Sequence, residues 1–332
     1  MYQDNEEHLK IIIMPTEKCN FRCVYCYENH EIRNEDSLNY QAILEFIKKQ
    51  LKQCNYKELD IMWFGGEPML KMSEIETFMH SVRELSNQYQ IRLYSSITTN
   101  GYLITKHNFQ VLLDNNITDF QITVDGDHHN QTRVLPDGSP TMQVILDNLK
   151  YMHKKEDNFS VIVRVNIDRT SGDNHQFYHD LYEAIGDDKR FNISVHNVFQ
   201  DEGIQTKDIQ YCKTNDLKEI NENCAKENHL QVDTDQSVSP IDICYACCEN
   251  AYAFRPDGTI VKCTVSLNEQ WNQIGMKEKD CYIINSEKNK KLSKHVLKKE
   301  CMFCNNITKC RNIICLKDRF VNNNCTFTRR EK

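Results

Sequence analysis

Between residues 9 and 198, six short apolar runs alternate with segments of helical periodicity, and this alternation limits the possible folds more than any other feature. The runs are LKIIIM (9–14), LDIMWF (59–64), IRLYSSITT (91–99), FQITV (120–124), FSVIVRVNI (159–167) and FNISVHNV (191–198). Each has strand length and is rich in β-branched and aromatic residues. After the first of them, LNYQAILEFIKKQLKQC (38–54) places Ile43, Leu44, Ile47 and Leu51 at helical spacing, and 73–89, 105–115, 141–154 and 174–186 repeat the pattern. Strand-then-helix units in this number predict an α/β fold with a parallel sheet covered by helices on one or both faces. The count does not separate a partial barrel from an open doubly wound sheet.

Past residue 200 the pattern stops. Residues 201–243 are polar with one helical stretch near 215–227, and SVSP (237–240) reads as a linker. From Cys244 onward the elements are short and the chain carries ten of its sixteen cysteines, as a small core stapled by ligands would. The expected organisation is a core over 1–200, a polar linker and helical segment over 201–243, and a cysteine-rich domain over 244–332.

Sixteen cysteines would signal disulfides in a secreted chain, but Asp4, Glu6 and Glu7 stand where an export signal would carry Lys or Arg. No apolar run approaches the roughly 20 residues a bilayer requires. The chain therefore reads as cytoplasmic, with cysteines that hold metal or clusters. A net charge of −7 gives no footprint for nucleic acid or an anionic membrane.

KCNFRCVYC (18–26) sets Cys19, Cys23 and Cys26 on one loop after the first strand. A cubane iron–sulfur cluster offers four irons to outer ligands, so three thiols leave one iron open. Structural zinc normally closes its tetrahedron, which here would need His30 as the fourth ligand. Ligands of α/β proteins gather at the carboxyl ends of strands, where this loop lies.

These cysteines, with Tyr25 before the last, resemble the CxxxCxxC motif of radical S-adenosylmethionine (SAM) enzymes. WFGGEPML (63–70) resembles that family's GGEP segment, ITTNG (97–101) ends the third strand with Thr99 and Asn100, and ITVDGDHHNQTR (122–133) resembles the strand-four segment beside SAM. The resemblance implies a partial (β/α)6 TIM-like barrel. It also implies an open [4Fe–4S] cluster on Cys19, Cys23 and Cys26, with Gly65, Gly66 and Glu67 at the methionine amino group. Thr123 would meet the ribose, and Arg133 and Arg164 the carboxylate. Gly65 and Gly66 could equally supply only a turn, and Glu67 only a helix cap. Arg164, in an apolar strand, needs an anionic partner.

CYACCENAYAFRPDGTIVKC (244–263), CMFCNNITKC (301–310), Cys315 and Cys325 are similar to the SPASM extension of radical SAM peptide maturases. By that resemblance Cys301, Cys304, Cys310 and Cys325 hold one auxiliary [4Fe–4S] cluster, and Cys244, Cys263 and Cys315 hold another; the pattern does not fix its fourth ligand, for which Cys247 or Cys248, on the same short segment as Cys244, is favoured over Cys281. The chain departs from the pattern in placing four residues, not three, between Cys310 and Cys315. CxxC pairs also occur in zinc ribbons. PDG (256–258) is in addition an ordinary hairpin turn, and Cys54, Cys212 and Cys224 read as small buried or surface residues without a ligand role.

The resemblance implies reductive cleavage of SAM to a 5′-deoxyadenosyl radical and oxidative modification of a ribosomally made peptide, most simply by thioether or carbon–carbon cross-linking. It brings with it three [4Fe–4S] clusters and an electron donor such as flavodoxin or ferredoxin. With about eight residues before Leu9, leader recognition falls to a separate protein or to the barrel and the 201–243 segment. Three alternatives stand beside it. A sulfatase-maturase activity would want Asp where Thr264 follows Cys263. An epimerase would want a hydrogen-donor cysteine, Cys281 or Cys248. A non-enzymatic iron–sulfur or zinc module leaves the GGEP segment unexplained.

Overall fold

The computed structural model describes residues 7–28, 38–198, 209–212, 214–233, 244–293 and 316. Its first six strands are β1 (His8–Ile13), β2 (Glu58–Trp63), β3 (Arg92–Thr99), β4 (Asp119–Thr123), β5 (Ser160–Ile167) and β6 (Phe191–Asn197). They alternate with α1 (Tyr40–Gln53), α2 (Met72–Tyr89), α3 (Lys106–Asp114), the single turn α4 (His129–Thr132) with α5 (Met142–His153), and α6 (His175–Ile185). Local chemistry sets the boundaries. Asn39 caps α1 by accepting from the Ala42 N–H at 2.9 Å, and Ala42, Ile43, Phe46, Ile47 and Leu51 form its buried stripe.

The six strands pair in parallel in the order in which they occur in the chain. A doubly wound sheet reverses its order partway; this one does not, so right-handed crossovers place all the helices on the same face. The burial pattern agrees. In β2, Leu59, Ile61 and Trp63 are fully buried toward the helices, while Glu58, Asp60 and Met62 on the other face are half-buried. Each of the three buried side chains contributes about 1.5–3 kcal/mol or more. The opposite face carries Thr98, Gln121, Arg164, Asn166 and Ser194, the polar inner wall of a partial barrel.

The C-terminal part differs from a small core stapled by ligands alone. β7 (Ala251–Phe254) adds to the free edge of β1 in parallel, pairing Ile11 with Tyr252 and Ile13 with Phe254. β8 (Thr259–Val261), β9 (Gln273–Glu278) and β10 (Cys281–Ile284) follow as an antiparallel meander, completing one ten-stranded sheet before α8 (Ser286–Ser293). The Phe46 ring of α1 packs edge-on against Tyr252 and Phe254 at 5.1 and 5.3 Å, so this region shares the main apolar core. The hairpin expected at PDG joins β7 to β8, with Gly258 at φ 86°. α7 (Asp216–Glu227) matches the helical stretch of the linker and docks through fully buried Asn221, which accepts from Asn174 Nδ2 at 2.8 Å. SVSP, His30, Cys301, Cys304, Cys310, Cys315 and Cys325 lie outside the described residues. No helix among the described residues is long and apolar enough to cross a membrane, and none of the described cysteines is in a disulfide.

Candidate active site

The loop carrying Cys19, Cys23 and Cys26 is sewn to the loop after β2 by backbone hydrogen bonds. Gly66 N–H donates to Thr16 O at 3.2 Å and Glu67 N–H to Lys18 O at 2.9 Å. The approach is so close that a Cβ on Gly65 would lie 2.5 Å from Thr16 O, and one on Gly66 2.3 Å from Lys18 O. Gly65 also sits at φ 116°, where a side chain is strained.

Glu67 is completely buried and combines the roles of cap and brace. Its carboxylate accepts from Met69 N–H at 3.0 Å, capping the short 3-10 turn of Pro68–Lys71, and from Thr99 Oγ1 and Asn100 N–H, both at 2.8 Å. Asn100 in turn donates to Asn20 Oδ1 at 2.7 Å and lies 4.0 Å from the Cys19 sulfur. Burial raises the Glu67 carboxyl; the hydrogen bonds from Asn100, Met69 and Thr99 pull it back.

A second network holds the far end of the loop. Tyr25 Oη donates to Asp125, and accepts from Arg133 Nη1 at 2.9 Å and Asn166 Nδ2 at 3.2 Å. Burial raises Asp125, opposed by Arg133; burial lowers Arg133, but Cys23, Tyr25 and Asp125 outweigh it and raise it overall. Arg164, lowered by burial, donates from Nε to Asn166 Oδ1 at 2.8 Å. Fully buried His129 fixes this corner. Its Nδ1 accepts from Asp125 N–H at 3.1 Å, while Thr141 Oγ1 donates to Arg133 O at 2.6 Å, so the proton between His129 Nε2 and Thr141 belongs to the imidazole. The ring is neutral, and burial followed by Arg133 keeps its pKa well below the usual value.

These groups enclose a cavity of about 390 Å³. Cys19, Cys23, Tyr25 and Cys26 line it together with Gly65, Gly66, Thr99, Asn100, Thr123, Arg133 and Arg164; Glu67 is not on its wall and lies behind it. Asn166 also lines it, as do Tyr27, Thr98, Gln121 and Asn197 and, from the C-terminal region, Tyr245, Thr264 and Val265. Asp125, Asn166 and His129 were not singled out from sequence. Asn166 was within reach, because it lies two residues after Arg164 and so on the same strand face.

The cavity suits an iron–sulfur cluster and a carboxylate-bearing ligand. Burial pushes the Cys19 thiol up to about 12 and raises Cys23 and Cys26, and a bound iron–sulfur cluster would offset that burial by supplying positive charge to the thiolates. Buried Arg133 Nε has no hydrogen-bond partner among the described residues, an orphan donor that a carboxylate would satisfy. The described cysteines, histidines and carboxylates do not converge in threes as a single bound metal ion would require.

Near the cavity, Cys244, Cys247 and Cys248 share one tight turn, with Cys247 N–H donating to Cys244 O at 2.8 Å and Cys248 N–H to Tyr245 O at 2.9 Å. Asn272 holds Cys263 in place, accepting from its N–H and donating to its carbonyl, both at 2.7 Å. The two cysteines considered as hydrogen donors are not cavity-lining residues: Cys248 is buried and Cys281 is exposed at the start of β10.

Residues 13–169 match the family model of the Radical SAM superfamily. This stretch, just under half of the chain, thus carries the signature of a radical SAM domain, a superfamily whose cofactors are SAM and a [4Fe–4S] cluster. Radical SAM cyclopropyl synthase TigE of Paramaledivibacter caminithermalis is 27% identical over 190 residues, which are 50% of this chain and 38% of that protein. The chain thus matches well under half of that relative's length. Among solved structures, native anSMEcpe with bound AdoMet aligns with a TM-score of 0.65 at 17% identity, over 91% of this chain and 88% of that one. Streptococcus suis SuiB bound to precursor peptide SuiA aligns with a TM-score of 0.61 at 16% identity, over 93% and 72%. At these identities the likeness is one of fold, and it extends past the radical SAM domain into the C-terminal part.

Proposed function

We propose that this chain is a cytoplasmic radical SAM oxidoreductase that modifies a ribosomally made peptide, most simply by thioether or carbon–carbon cross-linking. The observation that carries the reading is that one cavity is lined both by the Cys19, Cys23 and Cys26 loop and by Tyr245, Thr264 and Val265, next to Cys263. A substrate in that cavity would meet the radical source on one side and, on the other, the residues that directly follow Cys244 and Cys263 in the chain. SuiB, a fold relative, binds a precursor peptide.

Cys19, Cys23 and Cys26 hold the open cluster, and Cys244, Cys263, Cys315 and Cys301, Cys304, Cys310, Cys325 hold two auxiliary ones, with Cys247 or Cys248 completing the first. When bound, the reduced cluster and SAM supply the power to abstract a hydrogen atom from an unactivated carbon. The chain's own residues position and dehydrate. Gly65 and Gly66 leave room for the amino group, Thr99, Asn100 and Thr123 border the nucleoside, and Arg133 and Arg164 face the carboxylate. Glu67 acts from behind the wall by fixing Thr99 and Asn100. Electrons come from a flavodoxin or ferredoxin, and the peptide is presented by a separate leader-binding protein or by the polar barrel wall. Thr264, whose Oγ1 is 2.7 Å from Tyr245 Oη, occupies the place a sulfatase maturase would give to Asp.

Arg133→Ala should weaken SAM binding about tenfold to a hundredfold, since charge-assisted hydrogen bonds are worth about 1.5–3 kcal/mol. Anaerobic equilibrium binding measures it, and parental affinity would take Arg133 out of the site. The substrate class is tested by co-expression with a cysteine-containing peptide encoded beside the gene. Mass spectrometry should show loss of two hydrogens per cross-link. An unmodified peptide alongside active SAM cleavage would point to a different substrate.

A further inference from the structure

Four basic side chains other than histidine are buried among the described residues: Lys10, Arg133, Arg255 and Lys262. Three of them have an anionic or phenolic partner. Lys10 pairs with Asp60, Arg255 with Glu17 at 2.6 Å, and Arg133 with Tyr25, which is bonded to Asp125. Lys262, the most buried at 1% exposure, is different. Its ammonium donates only to neutral carbonyls, Cys248 O and Ala251 O at 2.9 Å, beneath the Tyr252 ring at 5.6 Å. No carboxylate among the described residues lies within ion-pair distance of it. The turn that supplies its acceptors also carries Cys244, Cys247 and Cys248, and the carboxylate of Glu249 in that segment is exposed.

A buried ammonium with neutral partners is costly, and a neutral amide could close the same turn by donating to the same carbonyls. The charge makes sense if an anion is held at the neighbouring cysteines. A [4Fe–4S] cluster on four thiolates is such an anion, and it becomes more negative when it takes up an electron. We infer that Lys262 is the buried counter-cation of the auxiliary cluster at Cys244 and Cys263, and that its charge sets that cluster's reduction potential. This rests on the auxiliary-cluster reading proposed above. Lys262 is a positioning residue: it clamps the turn bearing Cys244, Cys247 and Cys248, and Cys263 follows it directly in the chain.

The test uses the anaerobically reconstituted full chain, iron analysis and an EPR-monitored redox titration. The Cys244→Ala/Cys263→Ala variant should lose about four irons; unchanged iron and spectra there would overturn the cluster reading and Lys262's role with it. Given that loss, Lys262→Gln removes the charge and keeps a donor, and should favour the oxidised auxiliary cluster about tenfold at fixed potential, a midpoint about 59 mV more negative for a one-electron couple. Lys262→Arg should stay near the parent. If Gln cannot retain the cluster and Arg can, the charge is needed for assembly and the inference stands. It is overturned if Gln retains full iron at the parental potential, or if Gln and Arg lose the cluster alike, because Lys262 would then be only a structural clamp.

Discussion

Replacing Cys19, Cys23 and Cys26 together by Ala should abolish 5′-deoxyadenosine formation while leaving the iron of the C-terminal region in place. The loop's course rests mainly on backbone hydrogen bonds, with one weak bond to a thiol, from Phe21 N–H to Cys19 Sγ at 3.4 Å. Gly66 and Glu67 hold its first half, while Arg22 and Val24 N–H donate to Val134 O and Thr132 O at 2.8 and 2.9 Å and hold its second. The triple variant should therefore fold with the parent's thermal transition before reconstitution. A parent with three clusters would carry about twelve irons and the variant about eight. The informative result is a silent SAM-cleavage assay with auxiliary spectra intact. Continued cleavage under strong reductant would show that the open cluster lies elsewhere, and loss of all iron would mean that the two cysteine sets form one site.

Most of the fold could be read because its signals are local. The second strand, expected over 59–64, is Glu58–Trp63, and the helix expected over 38–54 is Tyr40–Gln53. What could not be read was curvature. Ile61, Met62 and Trp63 look like one apolar run, yet Met62 turns to the half-open inner face while its neighbours are fully buried. The pairing of β7 with β1 was equally hidden, because a contact between Ile11 and Tyr252 leaves no mark on either segment alone.

The candidate site divides in the same way. Motif residues at strand ends were legible because their spacing is short. Asp125 acts through a partner distant in sequence, accepting from Tyr25 a hundred residues away, and His129 acts through side chains that carry no spacing motif, bonding Thr141 twelve residues on. Glu67 shows that cap and site residue need not be alternatives, since its two oxygens serve the turn after β2 and the end of β3 at once.

Gly66→Ala should be the most damaging substitution that removes no ligand. Its Cβ would stand 2.3 Å from Lys18 O and 2.6 Å from Glu17 O, and both obstacles are backbone. A flexible side chain could swing aside; here one loop must back away from the other, breaking or stretching the bonds from Gly66 to Thr16 and from Glu67 to Lys18. Overpacking of this kind costs about 1–3 kcal/mol. The functional loss should be larger, because Lys18 is joined directly to Cys19, and a displacement near 1 Å can cost about a hundredfold in rate. Denaturant unfolding of the metal-free chain, iron content and 5′-deoxyadenosine formation together separate the two effects. Gly186→Ala is the control: Gly186 is at positive φ, 58°, which Gly66 is not, and a Cβ there meets nothing within 4 Å. That variant should lose stability through backbone strain and keep its SAM-cleavage rate. If Gly66→Ala keeps parental iron and parental rate, the seam between the two loops is not what positions Cys19.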